Sequence, residues 1–329
     1  TCPACSALKN KYDGANSASA ALFLNRVRGE VQKWFNGEGK AYDCGQKLVF
    51  FAYHGTNKPP VKYDEKKDAF SLIDGEVALQ GVIPWFAETN ADYTVPLNRG
   101  EVNRPVALAL RGWRHLSNEI LFWTYGTNFE NYLAPYPSFF ASRETYRFAK
   151  AQGAGLIFDE CQINTAASTG WEELKGYLYA KLAWNTEADV ETLTREFFEA
   201  SYGAGAPRMR KVFDAYLRRA KRQIADGFCG WRSEFIDPIQ TKFWDKDELI
   251  DWEREMTAAL DEAGEIARRN IVLERASVRY LLCEVFADAF DAETLGRLRQ
   301  NAADDLKESG IDRFNEKKTI DVLYQKWGM

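Results

Sequence analysis

The sequence predicts an α/β fold, in which half of a TIM-like (β/α)8 barrel is followed by an α-helical C-terminal domain. Three observations predict it. Four short apolar runs have the character of buried strands, helical stretches separate several of them, and the pattern changes to nearly unbroken helix beyond Trp171. We place the barrel half at residues 1–185 and the helical domain at 186–329.

The four predicted strands are continuous apolar runs rich in β-branched or aromatic residues. Such runs are typical of parallel strands that are covered on both faces. They extend from Lys47 to Tyr53, from Val77 to Ile83, from Ile120 to Tyr125 and from Gly155 to Asp159.

Amphipathic spacing predicts the helices. Between Ser17 and Phe35, apolar residues recur at steps of three and four. A further helix ends near Trp113, and another runs from Ser142 to Ala151 with Gly153 after it in a C-cap position. This alternation of strands and helices is the βαβ pattern of a parallel sheet.

Four strands are too few to close an eight-stranded barrel, and a sheet with two open edges would expose its core. We therefore expect this chain to be a fragment that lacks the N-terminal half of its own barrel. Expressed alone, it should be inactive and prone to aggregate.

Composition and charge exclude several classes of function. The 43 basic and 48 acidic residues give a net charge of -5, and the basic residues are scattered, which argues against a nucleic-acid partner. The longest strongly apolar run, Leu48 to Tyr53, is too short to span a membrane.

Nucleotide-binding glycine loops and zinc-protease motifs are absent, so we predict no cofactor. Cys2 and Cys5 have the spacing of half a zinc site, but they lack a matching second pair and are weak metal candidates.

The candidate site residues follow the carboxyl ends of the strands, where parallel α/β barrels build their active sites. Aromatic rings stack on sugar rings, amides bind hydroxyl groups, and carboxylic acids transfer protons at a glycosidic bond. The mixture therefore indicates an oligosaccharide or glycan substrate. We predict catalytic roles for Asp159 and Glu160, and substrate-binding roles for Tyr53, His54, Trp85, Tyr125, Asn128 and Glu130. The alternatives are that the aromatic residues pack under helices and that the two carboxylates cap the following loop.

The run from Trp123 to Pro137, WTYGTNFENYLAPYP, resembles the WxYxxNFxxYLxPxP signature of a bacterial barrel family. That family was formerly of unknown function and is in part now called glycoside hydrolase family 163. Further pieces occur in the family's order, among them Cys2 and Cys5, the run from Ala180 to Asn185, and the run from Tyr202 to Pro207. The resemblance covers about residues 1 to 220.

The resemblance implies an endo-β-N-acetylglucosaminidase that is secreted, periplasmic or held at the outer surface of a bacterium. The four strands would be strands 5 to 8 of the barrel. The reaction would be retaining and substrate-assisted, so that the acetamido group of the sugar acts as the nucleophile. Where relatives often have Glu-Gln-Gly after the last strand, this chain has Asp159, Glu160 and Cys161, which leaves open which carboxylate is the acid.

Two alternative functions remain open at this point. A uronic-acid glycosidase, similar to an α-glucuronidase, would need a cation for the sugar carboxylate, and Arg99 or Arg104 could supply it. A non-catalytic glycan-binding protein would keep the aromatic residues without a working acid.

Overall fold

A parallel four-stranded sheet, together with many helices, forms a mixed α/β structure. The structure, a computed structural model, describes residues 2–37, 47–230 and 237–329. As far as residue 160, its helices and strands are α1 (Pro3–Lys11), α2 (Ser17–Gly37), β1 (Leu48–Ala52), β2 (Val61–Asp64), β3 (Ala69–Leu72), β4 (Val82–Ala87), α3 (Arg104–Leu116), β5 (Ile120–Tyr125), α4 (Ser142–Ala151) and β6 (Ala154–Glu160).

The four strands of the main sheet lie in the order β1-β4-β5-β6, which is also their order along the chain. β1 pairs with β4 and β4 pairs with β5 in parallel, with Phe51 opposite Trp85 and Ala87 opposite Trp123. Parallel strands that stay in chain order, with right-handed connections, carry those connections on one face of the sheet.

One face of the sheet packs against helix α3. Phe86 and Phe122 are completely buried and stack with ring centroids 6.5 Å apart. Phe50 meets the ring of Trp113, on α3, at 5.5 Å. On α4, the hydroxyl of Tyr146 donates a hydrogen bond to Asp159 of β6. The apolar runs of the sequence thus supply a helix-covered layer.

The predicted second strand is displaced along the chain. The prediction began it at Val77, but Gly75–Val77 form a 3-10 turn and β4 begins at Val82. Gly81, with φ of +67°, ends the intervening loop in a left-handed conformation. The antiparallel pair β2 and β3 was not predicted, and it occupies part of the connection between β1 and β4.

The chain divides into two compact units. The first contains residues 1–91, 97–124 and 144–159, and the second contains residues 92–96, 125–143 and 160–329. This division differs from the predicted boundary at residue 185, because the segments 92–96 and 125–143 pack with later parts of the chain. For example, Asp92 accepts a hydrogen bond from the backbone N–H of Gly230 at 2.9 Å.

The second unit is predominantly helical. Its helices are α5 (Glu172–Trp184), α6 (Val190–Tyr202), α7 (Ala206–Ala225), α8 (Lys246–Glu262), α9 (Glu265–Val285), α10 (Ala292–Ser309) and α11 (Asp321–Trp327). α9 is buried along most of its length and packs against α6, α8 and α10. Aspartates cap several helices, as Asp245 does for α8 by accepting from two backbone N–H groups.

Buried charges join α9 to its neighbours. Arg275 makes a two-pronged contact with Asp305 of α10, at 2.9 and 2.8 Å, and Arg279 reaches Glu253 of α8 at 2.7 Å. Burial nevertheless raises the pKa of Asp305, with the Arg275 hydrogen bonds acting in the opposite direction. In the described part of the chain, no helix combines the length and the apolar character needed to cross a membrane.

Candidate functional site

An aromatic cluster lies on the face of the sheet opposite Phe50, Phe86 and Phe122. It consists of Phe51, Trp85, Trp123 and Phe158, one from each strand, and we call it the aromatic face. Phe51 stacks on Trp85 at 5.0 Å, and Trp123 meets Phe158 at 4.3 Å. Phe51 is nevertheless 48% exposed and Phe158 41% exposed. Within the first unit this face is therefore a continuous apolar surface that remains open.

Tyr53 and His54 follow β1, as predicted. Their rings lie 3.9 Å apart, and His54 is exposed with φ of +47°. The hydroxyl of Thr56 donates to the backbone oxygens of Phe51 and Tyr53, at 2.9 Å each, which fixes the turn. Both predicted residues are thus held by a tight turn at the carboxyl end of their strand.

Glu88 is a buried carboxylate that the prediction did not include among the site residues. It follows β4 directly and is 4% exposed. It accepts hydrogen bonds from the backbone and side-chain N–H groups of Asn90, both at 2.7 Å, and from the side chain of Asn57. The sequence feature that could have identified Glu88 is a carboxylate immediately after an apolar run. Its bonds tie the loop after β1 to the loop after β4.

Asp159 and Glu160, the two predicted catalytic residues, end strand β6. The carboxylate of Asp159 accepts a hydrogen bond from Tyr146 of α4, so this side chain lies on the helix-covered face. Side chains alternate along a strand, which places Glu160 on the face of Leu156 and Phe158. Glu160 is half-buried. The two neighbouring carboxylates therefore point in opposite directions.

Tyr125 and Asn128 are buried parts of the loop that follows β5. The ring of Tyr125 contacts Tyr93 at 5.8 Å and Phe129 at 5.9 Å. The side-chain oxygen of Asn128 accepts from the backbone N–H of Glu130 at 3.0 Å, an arrangement that shapes a turn. The Glu130 residue itself is exposed. The structure thus gives Asn128 a role in holding this loop.

A buried ion pair lies beneath the same loop and was missed by the sequence analysis. On α5, Lys175 contacts Glu172 at 2.7 Å and donates to the backbone oxygen of Gly126 at 3.0 Å. Both side chains are almost completely buried. Burial raises the pKa of Glu172, and the charge of Lys175 acts in the opposite direction. The i, i+3 spacing of the pair was visible in the sequence, but its burial was not.

The two arginines considered for a uronic-acid site are exposed. Arg104 forms an ion pair with Glu65, in the turn between β2 and β3, and Arg99 lies in the exposed loop before α3.

Cys2 and Cys5 are exposed free thiols at the start of α1, where the backbone N–H of Cys5 donates to the sulfur of Cys2 at 3.4 Å. Among the described residues, no three His, Cys, Asp or Glu side chains are grouped as metal ligands would be.

The sequence profile of a family described as a domain of unknown function (DUF4838) matches residues 1–214, about two thirds of the chain. The protein belongs to this family. No curated protein and no solved structure matches the chain.

In this DUF4838 protein, the matched region includes the whole first unit, and therefore the four strands and the aromatic face. It also includes α5 and α6 of the second unit. The strand ends offer carboxylates for proton transfer and aromatic rings for stacking on a flat ligand.

Proposed function

We propose that this protein is a glycoside hydrolase that acts on β-linked glycans containing N-acetylglucosamine. The observation that carries the proposal is the arrangement of the sheet. Four parallel strands in chain order present aromatic rings on one open face, and carboxylates follow β4 and end β6. Cleavage of a glycosidic bond requires both stacking surfaces and proton-transfer groups.

The open aromatic face also supports the more specific proposal that this sheet is half of an eight-stranded barrel. An exposed apolar surface built from four strands is a liability in a monomeric protein. Closing the sheet into a barrel would bury these rings and pair the outer edges of β1 and β6. In this proposal, the four remaining strands come from an upstream half of the same polypeptide.

Within the proposed site, we assign the general acid to Glu160. The alternation along β6 favours it, since Asp159 accepts its hydrogen bond from Tyr146 on the helix-covered face. Glu160 would protonate the leaving oxygen while the acetamido group of the substrate attacks the anomeric carbon. Trp85 and Tyr53 would provide stacking surfaces, His54 and Glu130 would contact hydroxyl groups, and Tyr125 and Asn128 would shape the loop that holds the sugar.

A matched pair of substitutions tests this assignment in the full-length enzyme. Glu160→Gln should lower kcat by about 10² or more with little change in KM, because an acid contributes mainly in the transition state. Asp159→Asn, one residue away, should lower kcat by less than about tenfold. Hydrolysis is measured with a 4-nitrophenyl β-N-acetylglucosaminide and with a chitobiose-containing glycan.

Other outcomes identify the alternatives. A Glu160→Gln enzyme that keeps more than half of the wild-type turnover removes Glu160 from the acid role. Cleavage of a glucuronide in place of the N-acetylglucosaminide indicates a uronic-acid glycosidase. Glycan affinity without turnover, retained when both carboxylates are replaced, indicates a binding protein.

A further inference from the structure

Lys175, on α5, is a buried cation to which the proposed reaction gives no role. Its side chain is completely buried, and lysine is rarely buried in this way without a specific partner. Its amino group contacts Glu172 at 2.7 Å and donates to the backbone oxygen of Gly126 at 3.0 Å. The ring centroids of Tyr136 and Phe139 lie 5.3 and 5.4 Å from the same nitrogen. The amino group is therefore held in place, with one hydrogen bond directed at the loop after β5.

The backbone of Gly126 links Lys175 to the proposed acid. The Gly126 N–H donates to the backbone oxygen of Glu160 at 2.8 Å, so the first residue after β5 is paired with the last residue of β6. The Gly126 oxygen also accepts from the hydroxyl of Ser138, at 3.2 Å, and the hydroxyl of Tyr179 lies 2.7 Å from the Ser138 oxygen. All five residues belong to the second unit. Gly126 is thus held through both its N–H and its carbonyl group, and the backbone of Glu160 is held through it.

We propose that Lys175 is a positioning residue of the hydrolase, which holds Gly126 and thereby the backbone that carries the Glu160 carboxyl group. This role rests on the proposed function, because it concerns the acid of that reaction. A general acid works only when its proton lies within hydrogen-bond reach of the leaving oxygen. A displacement of about 1 Å can lower a rate by about 10². Lys175 itself touches no reacting atom.

The pairing with Glu172 does not by itself explain why a lysine is buried at this position. Replacing a buried ion pair with apolar residues of similar volume often leaves stability unchanged or increases it. A hydrogen bond from a charged donor, however, is stronger than one from a neutral donor. The bond to the Gly126 oxygen therefore gives the amino group a role that an apolar side chain could not fulfil.

The double variant Lys175→Met/Glu172→Leu tests the proposal, because it removes both charges and leaves no unpaired carboxyl group in the interior. In the full-length enzyme, its kcat for a chitobiose-containing glycan should fall by about tenfold or more. Its kcat for 2,4-dinitrophenyl β-N-acetylglucosaminide should change by less than about threefold, because dinitrophenolate leaves without a proton from an acid. A loss of folded enzyme would lower both rates by the same factor.

Two further variants separate positioning from stability. Arg275→Met/Asp305→Leu replaces another buried ion pair of the second unit with apolar residues, and it should leave the ratio of the two rates unchanged. Ser138→Ala removes the neutral donor to Gly126. It should change the ratio in the same direction as the Lys175 double variant but by a smaller factor, and it provides the test if that double variant does not fold.

Hydrogen exchange of the Gly126 amide provides a readout that does not require activity. Mass spectrometry of peptides that contain Gly126, from the full-length protein, measures it. In the Lys175 double variant this amide should exchange about tenfold or more faster than in wild type, because the residue is no longer held by the charged donor. The Arg275→Met/Asp305→Leu control should exchange it at the wild-type rate.

The outcomes distinguish this proposal from the proposed function. A wild-type enzyme that hydrolyses neither substrate refutes the proposed function, and the role of Lys175 in catalysis with it. With an active wild-type enzyme, only the role of Lys175 is overturned if the folded double variant lowers both rates equally, keeps the wild-type ratio, or exchanges the Gly126 amide at the wild-type rate. An unchanged ratio in Ser138→Ala overturns it if the double variant does not fold.

Discussion

Replacing Glu274 by Gln should stabilise the protein by an amount that depends on pH. Burial raises the pKa of this carboxyl group from its ordinary 4.5 to about 8. Between these two values the folded chain keeps a proton that the unfolded chain has released. The contribution of Glu274 to stability is therefore fully present below about pH 4.5 and is lost as the pH rises towards 8.

The magnitude follows from the size of the shift. Each pH unit inside this window removes about 1.4 kcal/mol, so the complete window corresponds to about 5 kcal/mol. Gln keeps an oxygen that can accept from Trp171 but has no proton to release. The stability of Glu274→Gln relative to wild type should therefore rise by about 1.4 kcal/mol per pH unit from pH 5 to pH 8, and remain constant above it.

Urea unfolding at pH 5, 6, 7 and 8, followed by tryptophan fluorescence, measures this difference. Glu173→Gln is the matched control, because Glu173 is exposed and contributes less than burial to the raised pKa of Glu274. Its difference from wild type should vary with pH much less than that of Glu274→Gln. If Glu274→Gln and wild type differ by the same amount at all four pH values, the carboxyl group is not held protonated and the reasoning fails.

Two further predictions concern packing and buried charge. Phe122→Ala, on the helix-covered face, should lower the free energy of unfolding in urea by about 3 to 5 kcal/mol. Phe51→Ala, on the aromatic face, should lower it by less than about 1 kcal/mol in this chain. Equal losses would mean that both faces are covered. Arg275→Met should lower the free energy of unfolding by about 3 to 5 kcal/mol, because it removes the main partner of buried Asp305. Adding Asp305→Leu should recover part of this loss. If Arg275→Met alone leaves the stability unchanged, the ion pair has no structural role.

The sequence predicted those elements whose pattern is purely local. Strand β5 and helix α4 begin and end where their apolar runs and spacing indicate. Nearly unbroken helix was predicted beyond Trp171, but the chain breaks between α8, which ends at Glu262, and α9, which begins at Glu265. The break occurs at Ala263 and Gly264, both with extended backbone, because Gly has the lowest helix propensity apart from Pro.

The β2 and β3 pair was not predicted, for a different reason. The charged segment between these short strands has the composition of a solvated loop, so the alternation on either side was not recognised. Both strands also contact helix α3, and no local pattern contains these contacts.

For the candidate site, the sequence correctly indicated that Tyr53, His54 and Asn128 follow strands, because chain order determines this. Trp85 was also expected after a strand but lies within β4, because the second strand begins five residues later than predicted. It could not indicate where their side chains point. Asp159 bonds to Tyr146, and Asn128 shapes its own turn. The burial of Glu88 and Glu172 depends on the complete packing of their surroundings. That Asp159 and Glu160 point in opposite directions can be inferred only once strand β6 is known to include both residues.

The most direct test of the proposed function is the anomeric form of the product that the full-length enzyme releases first. ¹H NMR follows hydrolysis of a β-linked N-acetylglucosaminide by wild-type enzyme and by Glu160→Gln. A substrate-assisted, retaining reaction predicts that the β-anomer appears first and that Glu160→Gln slows its release by about 10² or more. Initial release of the α-anomer, or no release by the wild-type enzyme, would contradict the account.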